Sequence, residues 1–546
     1  MIRKTSDGAG ITLRWDLQWK KDVIFLLALV SCAFVYQYER HLDLEPSGPH
    51  TWRQADCTSI IDNYYSHGMR FFWPEIHYRL SDGDTSGYTA GEFPGLYYFN
   101  AWLWTIFGKH IWIPRVVSLL ITVLGLFALF RAHLLWTKSF FWSLVSTLLI
   151  FATPVIAEYG MNFLTDVPAF GFALMGWYFF TRFYFERGMR FLWIACFFFM
   201  LAGLHKVSAL ILFVCIGAVF VLDVLGLKMG PKCSKLFDRP IKQGLALAAT
   251  VAGVVAWYAY ANYFNNEHGG RYTFNNVWPI WKLNAEQIGN IASAFWEWAG
   301  VFVLPKYFWF AVPILLIGWA FIIKGASRFI ATVSGLTLLG VLMYFAFWYQ
   351  AIDQHDYYFA NAFALAVVLP LPYLTSKIHL TPFFKTCTKL IAVGFLVYGV
   401  LYTRQNLELR HFPVQNERYS LMYLGTVDLM KWYHWERTSR VRALGDIQPL
   451  LDSLGVTPQK KVIVAPDPTF NHTLYLIDRK GWTSFSDRPY RKLVDDCMEK
   501  GAEFLIVIHP DVFLTPGMEN IRQFRIGKLQ NAEIIDLNAF REAGSP

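Results

Sequence analysis

Charge is scarce in this chain: 16% of its 546 residues are Asp, Glu, Lys or Arg, against 55% hydrophobic and 18% aromatic. Largely apolar runs such as Val23 to Val35 and Val207 to Phe220 recur through residue 404, so the composition excludes an ordinary water-soluble protein. Cysteine is sparse and scattered. Cys32, Cys57, Cys196, Cys215, Cys233, Cys387 and Cys497 form no C-x-x-C, which removes both a zinc ribbon and a disulfide framework from consideration. G-x-G-x-x-G and G-x-x-x-x-G-K-[ST] are missing, so the sequence offers no phosphate cradle of either kind. No repeat of fixed period is present. The first apolar run lacks a small-residue cleavage pattern at its end, and Arg3, Lys4, Arg14, Lys20 and Lys21 precede it, so it reads as a retained helix with a cytoplasmic N-terminus.

What is present is a polytopic α-helical membrane protein. A window of about 19 residues gives roughly eleven spans, at 22–38, 111–132, 139–157, 164–182, 190–204, 207–226, 242–262, 305–324, 328–348, 357–375 and 388–404. The formal charge of +9 does not point to nucleic acid. The basic residues sit in short connections between spans (Arg131 to Lys138, Arg182 to Arg190, Lys228 to Lys242, Lys324 to Arg328, Lys377 to Lys389), as positive-inside topology requires. Counting crossings from the inside places residues 39–110, 158–163, 205–206, 263–304, 349–356 and everything after 405 outside. The expected division is a transmembrane part, residues 1–404, and a small extracytoplasmic α/β domain, residues 405–546, where apolar runs shrink to strand length at Lys461 to Pro466, Thr473 to Ile477, Glu503 to Ile508 and Glu533 to Leu537 around a helix at Tyr490 to Lys500. The triplet Asn471-His472-Thr473 matches a glycosylation acceptor pattern that arises by chance and carries no weight.

On this topology the reactive side chains collect on one side. In the first outer loop, residues 51–66 are expected to form a helix along the membrane surface, with Arg53 and Asp56 on one face and Trp52, Ile60, Ile61 and Tyr64 available to lipid; residues 95–107 form a second, aromatic interfacial helix. Asp56 is the candidate proton acceptor, since an ionised carboxylate can take a proton from an acceptor hydroxyl or amine. The plainer reading is an i, i+3 ion pair with Arg53. Asp166, in Thr165-Asp166-Val167-Pro168, is by ordinary rules a helix N-cap and by the bolder one a second carboxylate that positions the acceptor. Lys206 is a cation at the outer end of a span, against the inside bias. Snorkelling explains it, and so does a counter-charge for a phosphate at headgroup level. Asp353-Gln354-His355-Asp356-Tyr357-Tyr358 supplies a dense set of hydrogen-bonding groups suited to a sugar. Glu92, ahead of the aromatic helix, is a dipole partner or a site residue. His50, His355 and Asp356 have no ligand spacing, so no metal and no cofactor is assigned.

Taken in order, Trp52-Arg53-Gln54-Ala55-Asp56, Glu92-Phe93-Pro94 with Tyr97-Tyr98, Asp166-Val167-Pro168, Gly203-Leu204-His205-Lys206 and His355-Asp356-Tyr357-Tyr358 resemble the motifs of GT-C fold glycosyltransferases of the protein O-mannosyltransferase-like superfamily, related to bacterial lipid A aminoarabinose transferase. The likeness covers roughly residues 20–375. It implies a polyprenyl-phosphate-linked sugar donor, a glycan, lipid or protein acceptor, a reaction on the outer face of a bacterial inner membrane, inversion at the anomeric carbon and commonly no metal. By position, Asp56 resembles the catalytic aspartate, Asp166 the second acidic residue and Lys206 the lysine near the donor phosphate; His355 and Tyr357 resemble the polar late-loop residues, with Asp356 between them. Two departures stand out. Glu92-Phe93-Pro94 replaces Lys-Pro-Pro, so Lys206 or Arg53 must supply the charge, and Arg-Gln-Ala-Asp replaces an Asp-Glu pair. The rival readings are an oligosaccharide ligase of the same fold, and a transporter or lipid flippase, which would place ionisable groups near the midplane and use repeated halves.

Overall fold

The computed structural model describes residues 9–270, 277–376, 381–414, 419–485 and 488–544; the basic residues Arg3, Lys4 and Lys377 and the part of the expected outer segment at 271–276 lie outside these. Helices dominate the first 411 residues. In order they are α1 (Ala9–Val35), α2 (Thr51–Ser66), α3 (Gly95–Phe107), α4 (Trp112–Thr137), α5 (Phe140–Phe151), α6 (Pro154–Tyr159), α7 (Asp166–Glu186), α8 (Met189–His205), α9 (Ile211–Leu222) and α10 (Pro240–Glu267), followed by the apolar helices Lys306–Ile322, Arg328–Trp348 and Pro382–His411.

The protein is an integral membrane protein, and seven described segments are long and apolar enough to cross a membrane: Trp112–Thr137, Val207–Cys233, Pro240–Glu267, Lys306–Gly325, Arg328–Ala351, Asp356–Thr375 and Pro382–His411. The expected count of eleven is not reached. The other four expected spans are helices that are shorter or less apolar: Lys20, Lys21 and Asp22 interrupt α1, Pro154 opens a new helix directly after α5, α7 is less apolar because of its Gly, Tyr, Trp and Arg182 residues, and α8 has 17 residues. α7 is the centre of the bundle, packed between α4 and α8. Its approach to α4 is set by two glycines, because a Cβ on Gly125 would lie 2.6 Å from the Cα of Gly171. Small residues at such a crossing let helix backbones touch, the main source of packing energy where lipid is the solvent.

The C-terminal part forms a five-stranded mixed sheet from β1 (Val462–Ala465), β2 (Gly481–Thr483), β3 (Phe504–Val507), β4 (Arg525–Leu529) and β5 (Ala532–Asp536), in the order β2-β1-β3-β5-β4. β1 runs parallel to β2 and β3, and β5 antiparallel to β3 and β4. Three expected strands and the helix at Tyr490–Glu499 are found. The expected strand Thr473 to Ile477 is instead the helix His472–Ile477. Short apolar runs are ambiguous between the two states, and here the Asp467 carboxylate accepts the Thr473 N–H at 3.3 Å and fixes the helical start.

This sheet is bound to the first loop. Tyr78 bridges Gly481 in parallel, with Arg79 N–H donating to Gly481 O at 2.8 Å and Gly481 N–H donating to His77 O at 3.1 Å. Asn471, of the acceptor-like triplet, is buried and committed to structure: its Oδ1 accepts the Tyr78 N–H at 3.0 Å and its Nδ2 donates to Ala55 O at 3.4 Å. The helix His472–Ile477 thereby covers α2. The consequence corrects the surface-helix reading. α2 forms where expected, but Ile60, Ile61 and Tyr64 are buried in protein and not presented to lipid. α3 does keep an exposed apolar face of Phe99, Trp102, Ile106 and Phe107.

Candidate active site

α2 begins at a strained residue. His50 takes a left-handed conformation (φ 60°, ψ 28°), which costs an L-residue about 1–2 kcal/mol, and its Nε2 lies 3.0 Å from Asp356 Oδ1. One turn along, the buried Arg53 guanidinium pairs with the buried Glu92 carboxylate. Glu92 is carried by the segment entering α3, which is pinned to the end of α8 by the Phe93 N–H donating to Leu204 O at 3.0 Å. Burial alone would raise the Glu92 pKa, but the charges of Arg53 and Lys206 and the Arg53 hydrogen bond outweigh it and hold the carboxyl below its usual range. Asp56 is fully buried three residues after Arg53, leaving α2 on the same face.

Asp166 opens α7 and Lys206 follows the last residue of α8 in extended backbone (φ −159°, ψ 116°). The fold brings them together, with Lys206 Nζ 3.0 Å from Asp166 Oδ1. The ammonium also lies 4.9 Å from the ring centre of Tyr358 and 5.7 Å from that of Tyr357. Burial disfavours the charged lysine, yet Asp166, Tyr358 and Glu92 reverse the balance and raise its pKa. The N-cap position belongs to Thr165 and not to Asp166, which is the first residue of α7 and serves as an ion-pair partner. Arg53, Glu92, Asp166 and Lys206 thus form two matched pairs whose formal charges cancel, within electrostatic reach of one another. A bound phosphate must loosen at least one of these pairs to gain a cation.

The late loop completes the site. His355 stacks on Tyr357 at 5.4 Å between ring centres and meets His50 edge-on at 5.6 Å. Burial, followed by the nearby His50, lowers the His355 pKa to about 4. Its Nδ1 is buried with no hydrogen-bond partner among the described residues. Asp356 does not face an open site. It accepts from Tyr159 OH at 2.7 Å and from Arg410 Nη2 at 2.6 Å, and holds His50. Its effect on anything bound passes through His50.

Sequence reasoning missed the residues behind this wall. Arg410, fully buried at the end of Pro382–His411, also donates from Nε to Asn406 Oδ1 at 2.9 Å, from Nη1 to Tyr159 OH at 3.3 Å and from Nη2 to Phe302 O at 3.2 Å. Beside it His411 Nε2 lies 2.9 Å from Glu158 Oε2 and its Nδ1 3.1 Å from Ser47 Oγ. Burial alone would raise the Glu158 pKa, but His411, Arg410 and His41 together hold it well below its usual range. The sequence signal was available: Arg410-His411 are basic residues at the end of a span that the crossing count expects outside, the same anomaly that singled out Lys206.

A cavity of about 540 Å³ is lined by residues that include His50, Trp52, Glu297, Trp298, Asp353 and His355. Trp52, Trp298 and Tyr433 offer aromatic faces for stacking there, with His50, Glu297, Asp353 and His355 as polar groups. His50 and His355 join the cavity to the buried charges.

No protein-family model and no curated protein matches the chain. Among solved structures it is similar to ArnT from Cupriavidus metallidurans in the apo state, at 14% identity and TM-score 0.58, over 95% of this chain and 98% of that one. It is also similar to the same protein bound to undecaprenyl phosphate, at 15% identity and TM-score 0.54, over 94% and 97%. The oligosaccharyltransferase of Archaeoglobus fulgidus in the apo form is similar at 12% identity and TM-score 0.51, over 88% of this chain and 69% of that one. At these identities the likeness is one of fold: the chain has the GT-C fold that its sequence resembles.

Proposed function

We propose that this chain is a membrane glycosyltransferase that moves a sugar from a polyprenyl-phosphate donor to an acceptor on the extracytoplasmic face, by inverting displacement. The observation that carries the reading is the pairing of two cations, the buried Arg53 and the partly buried Lys206, with the buried carboxylates Glu92 and Asp166; a cavity of about 540 Å³ is lined by the neighbouring residues His50, Trp52 and His355. That volume suits a sugar unit, within the usual ligand range of about 300–1,000 Å³. The similar ArnT structure with undecaprenyl phosphate supports a lipid phosphate as the leaving group.

In this mechanism the acceptor hydroxyl gives its proton to Asp56 as its oxygen bonds to the anomeric carbon from the face opposite the donor phosphate. The bond from that carbon to the phosphate oxygen breaks, and the electron pair leaves on the polyprenyl phosphate. Lys206 and Arg53 stabilise the leaving charge, and in a dehydrated site such stabilisation is a large contribution to rate. Glu92 and Asp166 hold the two cations in place until the phosphate arrives. His355 and Tyr357 contact the sugar, and Asp356 positions His50. Residues 1–404 form the catalytic membrane part, with the N-terminus cytoplasmic in a bacterial inner membrane. Residues 405–546 form an extracytoplasmic unit that covers α2. Purified protein supplied with a polyprenyl-phosphate sugar and an acceptor extract should release polyprenyl phosphate and form a glycosylated product. Asp56→Asn should abolish both while leaving the protein folded; near-normal release by that variant removes Asp56 from the mechanism.

A further inference from the structure

Away from the catalytic cluster, three ligand-type side chains from two distant parts of the chain meet: Asp62 on α2 and His77 in the first loop, with Asp478 directly after the helix His472–Ile477. Asp62 and His77 are buried and Asp478 is partly exposed. His77 Nε2 lies 3.4 Å from Asp478 Oδ1 and 3.9 Å from Asp62 Oδ2, and the three atoms lie within 4.8 Å of one another. In a tetrahedral zinc site with bonds of about 2.0–2.1 Å, neighbouring ligand atoms stand about 3.3–3.4 Å apart. The imidazole is already oriented: Ser59 Oγ lies 2.7 Å from Nδ1 and accepts the His77 backbone N–H at 2.9 Å. With Nδ1–H donating to Ser59, Nε2 turns its lone pair toward both carboxylates, the arrangement that metal-binding histidines use.

From this geometry we infer that Asp62, His77 and Asp478 form a divalent-metal site of the zinc class, which clamps the C-terminal unit and the first loop onto α2. Two carboxylates and a neutral imidazole balance the ion's charge, and a water completes a four-coordinate shell. One competitor is built in. Lys109 Nζ lies 2.8 Å from Asp62 Oδ2 on a partly exposed side chain that can swing into solvent. The site is distinct from the groups proposed for sugar transfer, so it stands or falls independently of that reading.

The test uses the full chain in detergent, stripped with a chelator, titrated with zinc chloride and assayed for bound metal by mass spectrometry and for affinity against a chromogenic chelator. Wild type should bind one zinc per chain. Removal of a direct ligand in His77→Ala should weaken binding by at least about 100-fold, and Asp478→Asn by about 10–100-fold. Lys109→Ala should tighten it by about tenfold, since a like charge next to the ion is removed; a cluster held together only by ion pairs gains no zinc affinity from that change. Failure of wild type to bind zinc, or equal binding by Asp478→Asn and wild type, overturns the site. The second comparison decides even if His77→Ala does not fold, because Asp478 sits at the partly exposed edge.

Discussion

Arg410→Met removes a guanidinium from the least accessible charged cluster in the molecule's described part, and its cost follows from the hydrogen bonds and ion pair that it breaks. Arg410 makes four hydrogen bonds, to Asn406, Tyr159, Phe302 and Asp356, and its guanidinium lies 4.4 Å from the Phe302 ring centre. Methionine replaces most of the packing volume but leaves Asp356 with Tyr159 and His50 as its partners. Breaking a buried ion pair from one side costs about 3–5 kcal/mol. Asp356→Asn strands Arg410 in the same way. The double variant Arg410→Met/Asp356→Asn buries no unpaired charge, so it should be less destabilised than the sum of the singles by about 2 kcal/mol or more. Equilibrium denaturation in detergent, followed by tryptophan fluorescence and near-ultraviolet circular dichroism, measures all four corners of the cycle. Singles costing less than about 1 kcal/mol, or additivity within about 0.5 kcal/mol, refute the network as a coupled unit. Asp356→Asn should also impair sugar transfer, because His50 loses its charged anchor, and Arg410→Met less so, because Asp356 keeps His50 as a partner.

Lys206→Ala should lower transfer by about 10²–10³, with Lys206→Arg recovering part of it; a loss under about threefold in a donor-lipid assay contradicts the phosphate role. Burial, helped by His411 beside His41 and by His50 beside His355, lowers both pKa values to about 4, against about 6.5 in an unfolded chain. Between those values the unfolded state binds more protons, so the thermal midpoint should fall as pH drops from about 6.5 to about 4, these two histidines adding about two protons' worth of slope; a flat profile there contradicts the assignment. Gly481→Ala should unfold the C-terminal sheet, since its Cβ would lie 1.7 Å from Val462 O, at a cost above about 3 kcal/mol. A protease-resistant C-terminal unit in that variant contradicts the close approach.

Local pattern was enough to locate α2 and α3, because Thr51–Ser66 and Gly95–Phe107 are each continuous helical stretches. The burial of α2 was not legible, because its cover comes from Asn471 and the helix after it, over 400 residues later. Lys206 stood out through its place against the charge bias, and the structure supplied its partner Asp166, 40 residues earlier. Glu92 stood between a dipole partner and a site residue in the sequence, because its cation, Arg53, lies 39 residues back. Asp356 looked like a free sugar ligand; its commitment to Arg410 and Tyr159 depends on helix packing that no spacing reveals.

The central claim is that Arg53 and Lys206 receive a lipid phosphate. An experimental structure of the chain with a polyprenyl phosphate tests it most directly. The expected result is a phosphate oxygen about 2.7–2.9 Å from Lys206 Nζ, with Asp166 or Glu92 drawn back from the pairing seen without ligand. A phosphate bound elsewhere, with Lys206 still 3.0 Å from Asp166 and Arg53 still on Glu92, would contradict it.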